Sequence, residues 1–271
     1  MRARAAVVLA LLAAVAFISS PAIAGRTLIA AHRGGAALRA ENSLGAFRNA
    51  LALGVDALEF DLHMTRDGDV VVIHDPTLDR TTTLTGPVRD RTLAELRAAK
   101  VKTANGEITD EAVPSFAELL ELARSSGVEI LPEIKVGPGG APYAGIEEKV
   151  LTLLRTHGML ERATIQAFQP ATIARIRTLE PRARTMSLVR AAIAPELVME
   201  ALARARALGA TDVGLNHRLV DEGVVAATRS AKLRLSVWTV NDEADIKRML
   251  ALGVDVIMSD RPDLVKQLAG R

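Results

Sequence analysis

The chain has 271 residues, no cysteine, 34 Lys and Arg against 32 Asp and Glu, and only 3% aromatic residues. Without a thiol, a disulfide framework, a thiolate metal site and a cysteine nucleophile are all excluded. Near-balanced charge and few stacking side chains argue against a nucleic-acid partner, which calls for a basic face and aromatic platforms.

Arg2 and Arg4 precede an unbroken apolar run over residues 5–18, followed by Ser19-Ser20-Pro21 and the small triplet Ala22-Ile23-Ala24. This is the pattern of a secretory signal covering residues 1–24, with cleavage after Ala24 and export to the periplasm or the medium. The apolar run is short for a membrane span, so no stable membrane insertion is expected after cleavage. Loss of the leader removes two arginines and leaves 32 charges of each sign on residues 25–271, a length that suits one barrel domain.

Strand-like segments follow at 28–31, 57–61, 129–133, 164–167, 184–188, 212–215, 235–238 and 255–258, alternating with amphipathic helical sequence. Eight strands separated by helices predict parallel pairing, because each crossover needs a helix to bring the chain back. The fold class expected is α/β, a (β/α)8 TIM barrel. A degenerate repeat agrees: Ala52-Leu53-Gly54, Ala207-Leu208-Gly209 and Ala251-Leu252-Gly253 each close a helix just before a strand, and Gly127 and Gly158 are read the same way. Thr92 with Glu95 and Ser115 with Glu118 match the capping box that opens a helix. The longest interval, about 62–114, holds a short strand over 70–73, a turn at Gly86-Pro87 and a helix from Leu93. Such an insertion after the second strand sits on the face where barrel enzymes keep their chemistry.

Reading the carboxyl ends of the strands gives His32, Glu59 and Asp61, Glu133, Gln166, Ser187, Asn216, Trp238 and Asp260. Glu59 and Asp61 lie two apart on one strand and must point the same way, so the two like charges call for a cation. His32 and His74 are candidate acid and base, since imidazole titrates near neutral pH. Arg33 and Lys135 suit phosphate, and Trp238 can pack flat against a small carbon skeleton. His63, His157 and His217 read as structural, with His63 expected to face away from the site. Asn241 reads as the cap of the helix from Asp242, and Asp260, two residues before Pro262, as a helix start.

Taken in order, His32-Arg33-Gly34, Glu41-Asn42, Glu59-x-Asp61, His74-Asp75 with Arg80-Thr81-Thr82, Glu133-x-Lys135 and Trp238-Thr239-Val240-Asn241 resemble the glycerophosphodiester phosphodiesterase family. The resemblance implies a barrel with an insertion after the second strand and metal ligation by Glu59, Asp61 and Glu133. Three carboxylates are hard oxygen donors suited to one divalent cation, Ca²⁺ or Mg²⁺, with the family favouring Ca²⁺. It also implies hydrolysis of a small-molecule glycerophosphodiester to glycerol 3-phosphate and an alcohol. A lysophospholipase D-type activity on the same barrel and a non-catalytic glycerophosphodiester-binding protein are the rival readings.

Overall fold

Parallel strands joined by helical crossovers keep their helices on the sheet faces, and here eight of them close into a barrel. The computed structural model describes residues 26–190 and 193–271. The leader and its cleavage site lie outside these residues. The strands are β1 Leu28–Ala31, β2 Ala57–Met64, β3 Val70–Val72, β4 Glu129–Ile134, β5 Thr164–Ala167, β6 Arg184–Leu188, β7 Asp212–Asn216, β8 Arg234–Trp238 and β9 Val256–Ser259. They run in the order β1-β9-β8-β7-β6-β5-β4-β2, and parallel pairing of β1 with β2 closes the barrel. Strand β2 continues to Met64, beyond the expected 57–61, because β3 folds back antiparallel on its last residues and pairs Leu62 with Val72 and Met64 with Val70.

The helices are α1 Leu44–Leu53, α2 Leu93–Ala98, α3 Phe116–Arg124, α4 Ile146–Thr156, α5 Pro170–Leu179, α6 Val198–Ala207, α7 Glu222–Ser230, α8 Glu243–Leu252 and α9 Pro262–Leu268. Both capping boxes form, at Thr92–Glu95 and Ser115–Glu118. Each Ser or Thr cap typically contributes about 1 kcal/mol by satisfying amides that the first helical turn leaves unpaired. Gly54 and Gly253 end α1 and α8 with φ of +70° and +64°, a left-handed geometry that a Cβ would strain. None of the described helices is long and apolar enough to cross a membrane.

The helices cover the outer faces of the strands. Phe60 of β2 lies 5.8 Å from Phe47 of α1 and 5.7 Å from Phe116 of α3 between ring centroids, so three elements share one aromatic contact. Inside the barrel Ala30, Ala57, Leu131, Met186, Val256 and Met258 form an apolar plug. Beneath it, at the amino ends of the strands, Glu129 bridges Arg184 at 3.2 Å and Arg234 at 3.4 Å, and Arg234 also lies 3.7 Å from Asp212. Gly214 of β7 faces this plug, where an added Cβ would stand 2.4 Å from Leu188 Cδ2 and 3.0 Å from Met186 Sδ. The segment between β2 and β4 has a small core of its own, built from Val71, Ile73, Leu78, Val88, Leu96 and Val101. It is thereby held as an ordered wall beside the carboxyl ends of β1, β2 and β4.

Candidate active site

Strand pleating and register assemble the acidic centre. Glu59 and Asp61, two apart on β2, point to the same face, and Asp61 stands opposite Glu133 of β4. One carboxylate oxygen from each lies within 4.8 Å of the others, and all three residues are buried. The turn after β1 brings up the first counter-charge. Arg33 has φ +51°, an uncommon conformation for a residue with a Cβ. It directs the Arg33 N–H to Glu59 Oε2 at 3.0 Å, while its guanidinium lies 3.5 Å from Asp61 and donates to Glu41 at 3.1 Å. The next residue, Gly34, has no room for a methyl group: a Cβ would meet that of Ala46 at 2.8 Å. Lys135 Nζ, following β4, lies 2.9 Å from Glu133 and 3.4 Å from Asp61.

Burial works to raise the Asp61 carboxyl, but Lys135 and Arg33 overcome it and hold the group well below the usual carboxylate range. At Glu59 and Glu133 burial prevails, the Asp61 charge adds to it, and both are raised. The two fixed cations are therefore too little positive charge for three buried carboxylates. A closely spaced set of hard oxygen donors with unbalanced negative charge fits a divalent cation.

His32 and His74 are each anchored through Nδ1 by an aspartate. His32 Nδ1 and Asp260 Oδ1 are 2.6 Å apart, and His32 Nε2 lies 3.9 Å from Glu59. His74 Nδ1 and Asp75 Oδ1 are likewise 2.6 Å apart. Burial lowers His32, but Glu59 and the Asp260 hydrogen bond outweigh it and raise the ring above its ordinary value. Burial also lowers His74, and there Lys135 and Arg33 help keep it low against the pull of Asp61 and Asp75. The two rings thus carry opposite protonation biases across one cavity of about 170 Å³, which is lined among others by Arg33, Lys135, Phe168 and Trp238.

A model of the glycerophosphoryl diester phosphodiesterase family matches residues 32–264. The chain belongs to this family. A glycerophosphodiester phosphodiesterase of Caldanaerobacter subterraneus is 31% identical over 244 residues, spanning 90% of this chain and 98% of that protein. One from Bacillus altitudinis is 34% identical, spanning 88% and 96%. A crystal structure of an Agrobacterium tumefaciens protein assigned as a glycerophosphoryl diester phosphodiesterase superposes with a TM-score of 0.84 at 34% identity, covering 91% of this chain and 98% of that one.

On this phosphodiesterase barrel the structure gathers all eight expected site residues, His32, Arg33, Glu59, Asp61, His74, Glu133, Lys135 and Trp238, at one end. Trp238 meets Phe168 edge to face at 5.7 Å between centroids, and its buried indole N–H has no protein partner among the described residues. Two expectations are corrected. Asn241 does not cap α8; its side chain donates to Asp260 Oδ2 at 2.7 Å and accepts from the Asp260 N–H at 2.9 Å. Asp260 does not start α9, whose N-cap is Arg261; it holds His32 instead. A polar residue before Pro262 mimics a cap, and the local pattern conceals a partner across the barrel seam. Two further supports were read only as a strand end and part of a motif: Gln166 donates to Glu59 at 2.8 Å, and Asn42 to Asp61 at 2.9 Å. A further correction concerns His63, expected to face away from the site: it follows Asp61 by two residues and so shares its strand phase. It is buried, its Nε2 meets the His74 carbonyl at 3.0 Å and its Nδ1 the Tyr143 hydroxyl at 2.8 Å. Burial depresses the His63 ring to about 4, so it is neutral and donates through only one nitrogen.

Proposed function

We propose that the chain hydrolyses glycerophosphodiesters to glycerol 3-phosphate and an alcohol. The observation that carries this reading is the pair of aspartate-anchored histidines with opposite protonation biases facing three carboxylates. Capture without turnover would not require that pair. Arg33 and Lys135 hold the phosphate oxygens, Arg33 as a planar donor and Lys135 as a point charge. His74, favoured neutral, accepts the proton of the attacking oxygen, and His32, favoured protonated, donates one to the departing alkoxide. Asp75 and Asp260 fix which ring nitrogen faces the substrate. Trp238 packs against the glycerol carbons.

Glu59, Asp61 and Glu133 would hold one divalent cation, with hard oxygen donors that suit Ca²⁺ or Mg²⁺ and the family resemblance favouring Ca²⁺. When bound it supplies Lewis-acid stabilisation of charge on the phosphoryl oxygens. Residues 1–24 are proposed to direct export to the periplasm or medium, which N-terminal sequencing of the exported protein tests.

The deciding assay follows glycerol 3-phosphate release from glycerophosphocholine and glycerophosphoglycerol, with EDTA and then with Ca²⁺ or Mg²⁺ restored. Activity lost to chelator and regained with one ion supports the reaction and the metal together. Binding of both diesters without product release would leave a binding protein. ³¹P detection of a cyclic phosphate would identify the glycerol 2-hydroxyl as the attacking group, and its absence during turnover would favour water.

A further inference from the structure

We infer that Arg190 selects the released alcohol, favouring glycerophosphodiesters whose alcohol carries an anionic group over those bearing a quaternary ammonium. The inference rests on the proposed diesterase reaction and assigns the second arm of its substrate. Beside the catalytic cavity lies a larger chamber of about 380 Å³ that shares His74, Glu133, Lys135 and Phe168 with it. A diester held at the carboxylates can send one ester arm into each of these two cavities. The smaller cavity, walled by Trp238, Leu188 and Met258, suits the invariant glycerol. The larger and more open one suits the variable alcohol.

Charge decides what that chamber accepts. Glu133 at its edge lies 2.9 Å from Lys135 and belongs to the carboxylate set that would hold the cation, so it is not free to pair with an alcohol in the chamber. Apart from the catalytic groups and the neutral His63, Arg190 is the sole charged side chain among the described residues lining it. Its guanidinium carbon stands 5.8 Å from the centroid of Phe168. An aromatic face is the feature that would otherwise recognise a choline-like cation, and here a cation already covers it. A second cation entering the chamber meets like charge and no free carboxylate, whereas an anion meets a bidentate donor.

The test measures kcat/KM on three diesters: glycerophosphocholine, glycerophosphoglycerol, whose released alcohol is uncharged, and glycerophosphoinositol 4-phosphate. The proteins compared are wild type, Arg190→Gln and Arg190→Glu, each with its fold checked by circular dichroism. The readout is the anionic-to-choline ratio within each protein. Wild type should favour the anionic diester roughly fivefold or more at low salt, less at high salt because Arg190 is exposed. Arg190→Gln should flatten that ratio and Arg190→Glu reverse it. An identical ratio in all three proteins, with glycerophosphoglycerol turned over, would overturn the role of Arg190 and leave the diesterase reading standing. No turnover of any diester by wild type would overturn both.

Discussion

His32 and His74 are the same side chain bonded in the same way to an aspartate, and what separates them is the next shell of charge. Glu59 stands 3.9 Å from one ring, while Lys135 and Arg33 bias the other. The pH profile should show it. With His74 below its ordinary value of 6.5, kcat/KM should fall on the acid side through a midpoint under 6.5, as protonation removes the base. A cation bound at the carboxylates pushes that midpoint in the same direction. His74→Ala should lose about 10²–10⁴-fold in turnover, the usual contribution of general acid–base catalysis. Asp260→Asn removes one of the interactions that raise His32, so the alkaline limb should move to lower pH and kcat should drop roughly 10–100-fold. A purely structural Asp260 would leave the limb in place. Glu59 and Asp61 were legible because strand alternation fixes their direction from local sequence alone. The Asp260 role was not, because its partner is 228 positions away in the chain and a nearby proline imitates a helix start.

The segment between β2 and β4 matters to the chemistry through one clasp. Arg80 donates to Asp75 at 2.7 Å and to Glu41 at 2.8 Å, tying the loop that carries His74 to the turn after β1. Asp75 is drawn down to about 2 because these hydrogen bonds from Arg80 and His74 overcome its partial burial. The Arg80 side chain is half exposed, so Arg80→Met should cost less than about 1 kcal/mol of stability. It should nevertheless reduce kcat about tenfold by freeing Asp75 to rotate. Parallel melting curves and single-turnover rates separate the two effects. The insertion and its capped helix could be read from Thr92 and Glu95, since a cap is a local device. Its docking could not, because the Arg80–Glu41 contact joins residues 39 positions apart on different elements.

At the scale of the whole barrel, the carboxylates at its top are a source of instability that a ligand can relieve. Anything binding only the folded protein stabilises it by mass action, by about 2.7 kcal/mol at a hundredfold excess over Kd, and so raises its melting point. Ca²⁺ or Mg²⁺ should therefore raise the Tm of the chelated protein in a calorimeter, and Glu133→Gln should reduce the rise. An unchanged Tm with the wild-type chain would argue that no cation binds there. Barrel closure was legible from eight strands alternating with helices, whereas the reach of its interior was not, because that depends on which small residue faces which large one. Gly214 is the case in point. Its lone hydrogen is the recess into which Leu188 leans, and Leu188 also forms part of the wall behind the substrate. One methyl group added there, far from any reacting atom, would be transmitted through that leucine as a shallower binding chamber, so the size of molecule the enzyme can accommodate is written partly on a strand that never touches it.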